Sequence, residues 1–371
     1  MENLQSIFGG VFVRIGIVFG TRPEIIKVAP VYLKAKEMKE RGVEADFICT
    51  GQHREMVDMM KGIFNVEADI DMNIMTANQT LNEVMYKVVR GFEELLKERH
   101  YDWIFVQGDT TTAMAAALAA FNRSVKVGHI EAGLRSGDLY DPFPEEMNRR
   151  VIDQVSQKMF APTQRAKETL LKEGFDEKRI IVTGNTVIDA QMYVVNHFDL
   201  ESVRKKIIDH ENYFLVTLHR RENIGQRMRN ILRALRRFSE KERIEIVFPV
   251  HKNPKVREIV YEELSGCTNA HLIEPVNYVE LTALLKDAKF VATDSGGIQE
   301  EAPTFGKFVV VCRETTERPE LIESGFGLLA GTEEEKVFEA LYKALEFRAG
   351  ELRNPFGDGH ASERILRAIL V

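Results

Sequence analysis

Residues 103–109 read WIFVQGD and residues 125–131 read VKVGHIE. Both are short, largely apolar runs, rich in β-branched and aromatic side chains, that stop abruptly on polar residues. Such runs belong in a parallel sheet covered on both faces rather than one with a wetted face. The same signature recurs in VRIGIVFG (13–20), ADFICTG (45–51), KMFAPT (158–163) and RIIVTGN (179–185). It returns in YFLVTLH (213–219), IEIVFPVH (244–251), AHLIEP (270–275), FVATDSGG (290–297) and FVVVCRE (308–314). Between them lie helical patterns such as LNEVMYKVVRGFEELLKE (81–98), apolar at three- and four-residue spacing. Strands alternating with helices predict an α/β chain with parallel sheets.

The strands suffice for two sheets of similar size. The break is placed at VTGNTVIDA (182–190), giving Rossmann-like domains over 1–184 and 185–357. A last helix, roughly 360 to 371, is set off by the Pro/Gly-rich NPFGDGH (354–360), and the segment 358–371 is expected to pack back on the first domain.

A length of 371 residues is comfortable for two domains. A net charge of −7, with basic residues dispersed, leaves no electrostatic footprint for nucleic acid. The three cysteines form no CxxC, and Cys49 and Cys312 fall in apolar runs, so they read as buried thiols in a reducing compartment. No run of 18 apolar residues is present and the N-terminus lacks a charged leader pattern, which predicts a cytoplasmic protein without a membrane partner.

Nearly every strand ends in a polar cluster: GTRPE, GQHRE, GDTTT and EAGLR, then HRREN, HKNP, EPVNY, DSGGIQEE and RETTERPE. Open α/β sheets bind ligands outside the carboxyl ends of their strands, so each half presents a binding edge, and two facing edges would form a cleft. In DSGGIQEEA, a strand-to-helix turn with Ser295, Gly296 and Gly297 suits a phosphate, and Glu301 suits a ribose diol. GTRPEIIK sets Arg22 and Lys27 around a second helix start, with Pro23 in the first turn. HIEAGLRSGDLYDPFPEE (129–146) puts Glu131 at a strand end and Glu145 at a helix start. The folded loop between them can bring two carboxylates together as acid and base. His53, His129, His219 and His251 all stand at strand ends. HExxH and HxxxH spacings are absent, the DID at 69–71 reads as a solvated turn, and neither GxGxxG nor GxSxG occurs. The inventory suits proton transfer beside a phosphate leaving group, with no metal or redox cofactor.

Taken together and in order, FGTRPEIIKVAP, GQHREM, GDTTT, GHIEAGLRSGDLYDPFPEEMNR, TGNTVIDA, HRREN, PVHKNP and TDSGGIQEEAPTFGK…RETTERPE resemble the non-hydrolysing UDP-N-acetylglucosamine 2-epimerases. The resemblance spans about residues 19 to 320 and implies a glycosyltransferase-B-like pair of Rossmann-like domains, a homodimer and no cofactor. It implies reversible conversion of UDP-N-acetylglucosamine (UDP-GlcNAc) to UDP-N-acetylmannosamine (UDP-ManNAc). By the same resemblance Asp109, Glu131, Glu145 and His219 are catalytic. Arg22 and Lys27 lie near the diphosphate, and Ser295, Gly296, Gly297 and Glu301 hold the nucleotide. Arg135, His251 and Arg313, at strand exits, are counted with the substrate-binding residues. Gln52, His53 and Arg54 match a region that helps hold a second UDP-GlcNAc as activator. The implied chemistry is loss of UDP to give 2-acetamidoglucal, then re-addition with a proton on the opposite face. Rival readings are an epimerase for a UDP-2,3-diacetamido uronic acid, a hydrolysing epimerase releasing N-acetylmannosamine and UDP, a glycosyltransferase, and a non-enzymatic UDP-sugar sensor.

Overall fold

The computed structural model describes residues 12–51, 58, 61–74, 76 and 78–370. Its strands form two all-parallel sheets. The first holds β1 (Val13–Phe19), β2 (Val43–Cys49), β3 (Ile70–Asp71), β4 (Trp103–Gln107), β5 (Lys126–Ile130), β6 (Lys158–Ala161) and β7 (Ile180–Val182), in the order β3-β2-β1-β4-β5-β6-β7. The second holds β8 (Tyr213–Thr217), β9 (Glu245–Pro249), β10 (Ala270–Ile273), β11 (Val291–Thr293), β12 (Val309–Val311) and β13 (Gly327–Leu329), in the order β10-β9-β8-β11-β12-β13. Every strand that carried a sequence signature is a strand here. The short β3 and β13 lacked one. Ile70–Asp71 forms a two-residue edge, while Asp69 accepts hydrogen bonds from Phe47 N (2.7 Å) and Tyr32 Oη (2.8 Å). The DID therefore joins the sheet rather than lying in a solvated turn. In β13, Gly327 has no side chain because a Cβ would stand 2.7 Å from Val309 O.

The strand order decides where a ligand can sit. In each sheet the chain winds outward from one strand, then returns to that strand's other side. The reversals fall between β1 and β4, and between β8 and β11. At such a reversal the connecting helices leave on opposite faces, so a crevice opens at the strands' carboxyl ends.

Packing explains the helices. The helix Thr111–Asn122 is TTAMAAALAAFN, with Thr110 Oγ1 accepting from Ala113 N at 3.0 Å. Its alanines are buried, which lets it approach the sheet and pack between the helices Leu81–Glu98 and Glu145–Val155. In the second sheet Phe214, Val216, Phe248 and Phe290 are buried against Leu232, Leu235 and Phe238 of the helix Gln226–Glu242. Each such side chain contributes about 1.5–3 kcal/mol when fully buried.

The chain divides into two compact units, residues 1–190 with 359–371, and residues 191–358. The sequence break at 184 lies six residues short of this division (190 − 184). In the first unit the helix Ala361–Arg367 packs on Arg22–Glu37. Asp189 holds its start by accepting from Ala361 N (3.2 Å) and Ser362 N (2.8 Å). Arg364 Nη1 reaches Thr183 O at 3.0 Å. No helix among the described residues is long and apolar enough to cross a membrane.

Candidate active site

In the first unit the loop after β1 enters the helix Arg22–Glu37. Glu24 Oε2 turns back to accept from Gly20 N (2.9 Å), Thr21 N (2.8 Å) and Thr21 Oγ1 (2.9 Å). Its Oε1 accepts from Thr110 Oγ1, across the strand reversal, at 2.6 Å. Burial raises the Glu24 pKa, against the opposing pull of these hydrogen bonds. Glu24, which the sequence reading passed over, thus ties the two walls of the crevice together.

Glu131 follows β5 directly, with a left-handed backbone (φ 72°). Such a conformation is costly outside glycine and turns the side chain away from the strand's regular path. Its carboxylate is clasped by Lys27 Nζ (2.5 Å), Asn185 Nδ2 (3.2 Å) and Gln107 Nε2. Only 7% of the side chain is exposed. Gly133, two positions on, also has positive φ (86°), and a Cβ there would stand 2.4 Å from Ala166 O. The loop can pack so closely only with glycine.

Asp109, in the turn after β4, pairs with Arg149 Nη2 at 2.5 Å, and its carbonyl accepts from Asn148 Nδ2 at 2.9 Å. Both partners lie on the helix Glu145–Val155. That helix is therefore fastened beside the Asp109 turn, with Glu145 as its first residue. Glu145 Oε2 is enclosed yet meets no hydrogen-bond donor among the described residues. Its neighbour Glu146 is fully buried and accepts from Ser136 N (3.0 Å), Arg149 Nη1 (3.1 Å) and Arg150 Nε (2.9 Å). Burial favours its neutral form, but those donors prevail and hold its pKa below the ordinary value. The adjacent glutamates thus divide the work: Glu146 anchors the loop, and Glu145 keeps an oxygen unspent.

Arg135, counted as a substrate group, is engaged elsewhere. Arg135 donates to Glu173 Oε1 (2.8 Å), Glu173 Oε2 (2.7 Å), Asp153 Oδ2 (2.7 Å) and Leu134 O (2.8 Å). Asp153 also bonds His129 Nδ1 at 2.6 Å, and His129 Nε2 meets Gly108 O at 2.8 Å. Burial works against the Asp153 charge, yet His129 and Arg135 bring its pKa below the ordinary value. Arg135 and the fully buried His129 thus brace the Gly108–Asp109 turn from beneath. Arg22, by contrast, has no ion-pair partner among the described residues.

In the second unit the fully buried Asp294, just past β11, accepts from His219 N (3.0 and 3.1 Å), Arg220 N (3.0 Å) and Asn223 Nδ2 (3.0 Å). This fixes the exit of β8 against that of β11. His219 Nδ1 lies 3.4 Å from Asp294 Oδ1, with 39% of the side chain exposed. Its ring stacks on His251 at 5.7 Å between centroids. Burial lowers the His219 pKa, Asp294 opposes this, and Arg220 and His251 reinforce it. The ring is therefore biased to its neutral form. His251 Nδ1 accepts from Asn253 N at 3.1 Å, leaving the proton on Nε2.

The turn Ser295–Gly296–Gly297 opens the short helix Gly296–Glu301. A Cβ on Gly296 would stand 3.6 Å from Arg220 Nη2 and 3.7 Å from Arg318 Nη2. Two guanidinium groups therefore border the bare backbone of the turn, an arrangement fit for a phosphate. Arg318 is aimed by Glu300 Oε1 at 2.6 Å. Glu301 stays buried beside Gly297, where a Cβ would stand 3.4 Å from its Oε1. Arg313 instead pairs with Glu222 (2.8 Å) and Glu317 (3.1 Å) with 7% of its side chain exposed. Arg318, five residues on in the same motif, takes the position by the glycine turn. Charge spacing in RETTERPE could not separate the two. Gln52, His53 and Arg54 lie outside the described residues.

Residues 36–370 match the family model described as UDP-N-acetylglucosamine 2-epimerase. The UDP-N-acetylglucosamine 2-epimerase of Bacillus subtilis is 43% identical over 359 residues, covering 95% of this chain and 94% of that one. The crystal structure of UDP-GlcNAc 2-epimerase from Neisseria meningitidis bound to UDP-GlcNAc is 40% identical, with a TM-score of 0.86 over 96% of this chain and 99% of that one. A glycosyltransferase from Rickettsia africae covers 96% of this chain and 94% of that one, at 14% identity and a TM-score of 0.58. That last likeness speaks for the glycosyltransferase-B-like fold alone.

Proposed function

This chain belongs to the UDP-N-acetylglucosamine 2-epimerase family, and we propose that it interconverts UDP-GlcNAc and UDP-ManNAc by loss and re-addition of UDP. The observation that carries this reading is the carboxylate set at the first unit's crevice. Glu131 is clasped by Lys27, Gln107 and Asn185, Asp109 is paired to Arg149, and Glu145 has an unspent buried oxygen.

The C2 hydrogen of the sugar has no neighbouring carbonyl to acidify it. Breaking the C1–O bond first creates positive character at C1, and C2–H then becomes acidic. UDP departs, a carboxylate takes the C2 proton, and 2-acetamidoglucal remains. Return of UDP to C1, with a proton delivered to the other face of C2, completes the inversion. The carboxylates Asp109, Glu131 and Glu145 serve as the proton-transfer groups. Arg220 and Arg318 beside Gly296 offset the charge of the departing diphosphate, and Glu301 holds the ribose. His219, biased to its neutral form, acts at the leaving oxygen.

The test is NMR of the product formed in D2O. UDP-ManNAc should carry deuterium at C2 and nowhere else on the ring, and long incubation should accumulate UDP and 2-acetamidoglucal. Full retention of protium at C2, with no glycal at any time, sinks the mechanism. Free N-acetylmannosamine as sole sugar product would instead indicate the hydrolysing reaction. The reading also includes a cytoplasmic homodimer and a second UDP-GlcNAc as activator near Gln52, His53 and Arg54. Light scattering and the dependence of rate on UDP-GlcNAc concentration test those two features.

A further inference from the structure

Among the described residues, three side chains unrelated to either crevice converge on one point: His210, Glu245 and His271. One ligand atom from each lies within 4.8 Å of the others. His271 Nε2 is 3.0 Å from Glu245 Oε2, and His210 Nδ1 is 3.5 Å from Glu245 Oε1. The two imidazole rings lie 5.5 Å apart between centroids. We propose that these residues form a binding site for a divalent transition-metal ion of the zinc type.

Local structure presents the set. Glu245 opens β9, and His271 pairs in register with Val247, two residues further along that strand. Paired residues and those two apart share a face of a sheet, so Glu245 and His271 project together. His210 arrives from the segment before β8, and its carbonyl is held by the buried Arg204 (Nη1 to His210 O, 3.1 Å). Arg204 is itself fixed by Asp287 at 2.9 Å. Asn212, two residues on, ties the segment to Arg243 O at 2.8 Å and to Glu245 N at 2.9 Å. The three donors therefore come from segments with little freedom to separate.

A second observation points to a ligand. Glu245 Oε2 and His271 Nε2 are both enclosed from solvent and face each other at 3.0 Å without the alignment of a hydrogen bond. An ordinary ion pair would align the ring N–H with the carboxylate. Here the two atoms sit side by side, as donors to a common ion do. Two imidazoles and a carboxylate suit Zn²⁺, Co²⁺ or Ni²⁺, whereas Mg²⁺ and Ca²⁺ prefer an all-oxygen shell. The site lies where β9 and β10 begin, the opposite edge from the Gly296 turn. Its consequence is a cross-link of the segment before β8 to two strands, stabilising the second unit.

The experiment uses the full chain, stripped with EDTA and desalted, then titrated with ZnCl2 by calorimetry. One ion per chain should bind. His210→Ala, Glu245→Gln and His271→Gln should each weaken it by more than the roughly 10-fold that loss of even an outer partner costs. His100→Gln, an exposed control, should leave binding unchanged. Zn²⁺ should raise the melting temperature of the wild type but not of the variants, and MgCl2 should raise neither. His210 is exposed, so its alanine variant guards against misfolding as an explanation. Absence of saturable uptake, or uptake indifferent to all three substitutions, overturns the proposal.

Discussion

At the exit of β5 an acidic side chain is offered; at the exit of β11 an acidic side chain is consumed. Glu131 leaves its strand on a left-handed backbone and meets lysine, glutamine and asparagine side chains. Asp294 stays in the sheet's interior, and backbone N–H groups of His219 and Arg220 use its oxygens. Each crevice lies at the same kind of strand reversal, yet the first presents carboxylates and the second presents guanidinium groups around a bare glycine turn. Topology sets where a ligand meets the sheet. What the exit residue bonds to sets the charge it meets.

The largest expected effect tests the support beneath the first crevice. Asp153→Asn removes the buried charge that His129 and Arg135 share, leaving Arg135 only Glu173 as counter-ion, and breaking a buried ion pair in this way costs about 3–5 kcal/mol. Thermal and urea unfolding should show the loss, and a stability equal to wild type would deny Asp153 its bracing role. The pH dependence follows from the lowered Asp153 pKa. Its folded value lies below the unfolded value of about 3.9, so the unfolded chain binds the proton more readily. The stabilisation is complete above about pH 4 and disappears as pH falls through the folded value, where wild type and variant should converge.

The next effect separates the crevices by function. Glu131→Gln and Asp109→Asn should each lower kcat by roughly 10²-fold or more while leaving UDP affinity near wild type. Arg318→Ala should do the reverse. It should weaken UDP binding roughly 10-fold or more, the value of a charge-assisted hydrogen bond of about 1.5–3 kcal/mol. Stopped-flow turnover and calorimetric UDP binding measure the two. Equal effects of both classes on both quantities would erase the proposed division of labour.

Arg313→Ala sharpens the same contrast within one motif. Both arginines are ion-paired, but Arg313 is held by Glu222 and Glu317 whereas Arg318 borders Gly296, so loss of Arg313 should change UDP affinity less than loss of Arg318 does. A larger effect at Arg313 in the same UDP titration would reverse the assignment.

The smallest effect concerns acidity. A His219 pKa lowered chiefly by burial places loss of the neutral ring below the ordinary histidine value of about 6.5. The acid limb of kcat/KM should therefore fall below that pH, and it should be missing from the pH profile of the activity that His219→Asn retains. A wild-type limb centred above about 7 would contradict the depressed value.

The legible part of the molecule was what depends on neighbours in sequence. Apolar runs ending on polar clusters mark parallel strands and their binding ends, because burial on both faces leaves only the exits for polar side chains. That logic places Asp109, Glu131, His219 and the Gly296 turn at carboxyl edges, and the ordered motifs give the family. The two-residue β3 and the glycine-led β13 are too short to produce a pattern.

What tertiary structure alone decided is which polar groups remain available. Lys27 and Glu131 are 104 residues apart, Arg313 and Glu222 are 91 apart, and neither pairing leaves a periodic trace in the chain. Arg135 and Arg318 look alike as arginines in polar motifs. Only the packing commits one to Asp153 and Glu173 and sets the other, held by Glu300, beside Gly296. The physical reason is that a buried charge must find a partner, and the fold, not the local sequence, determines which opposite charge is within reach.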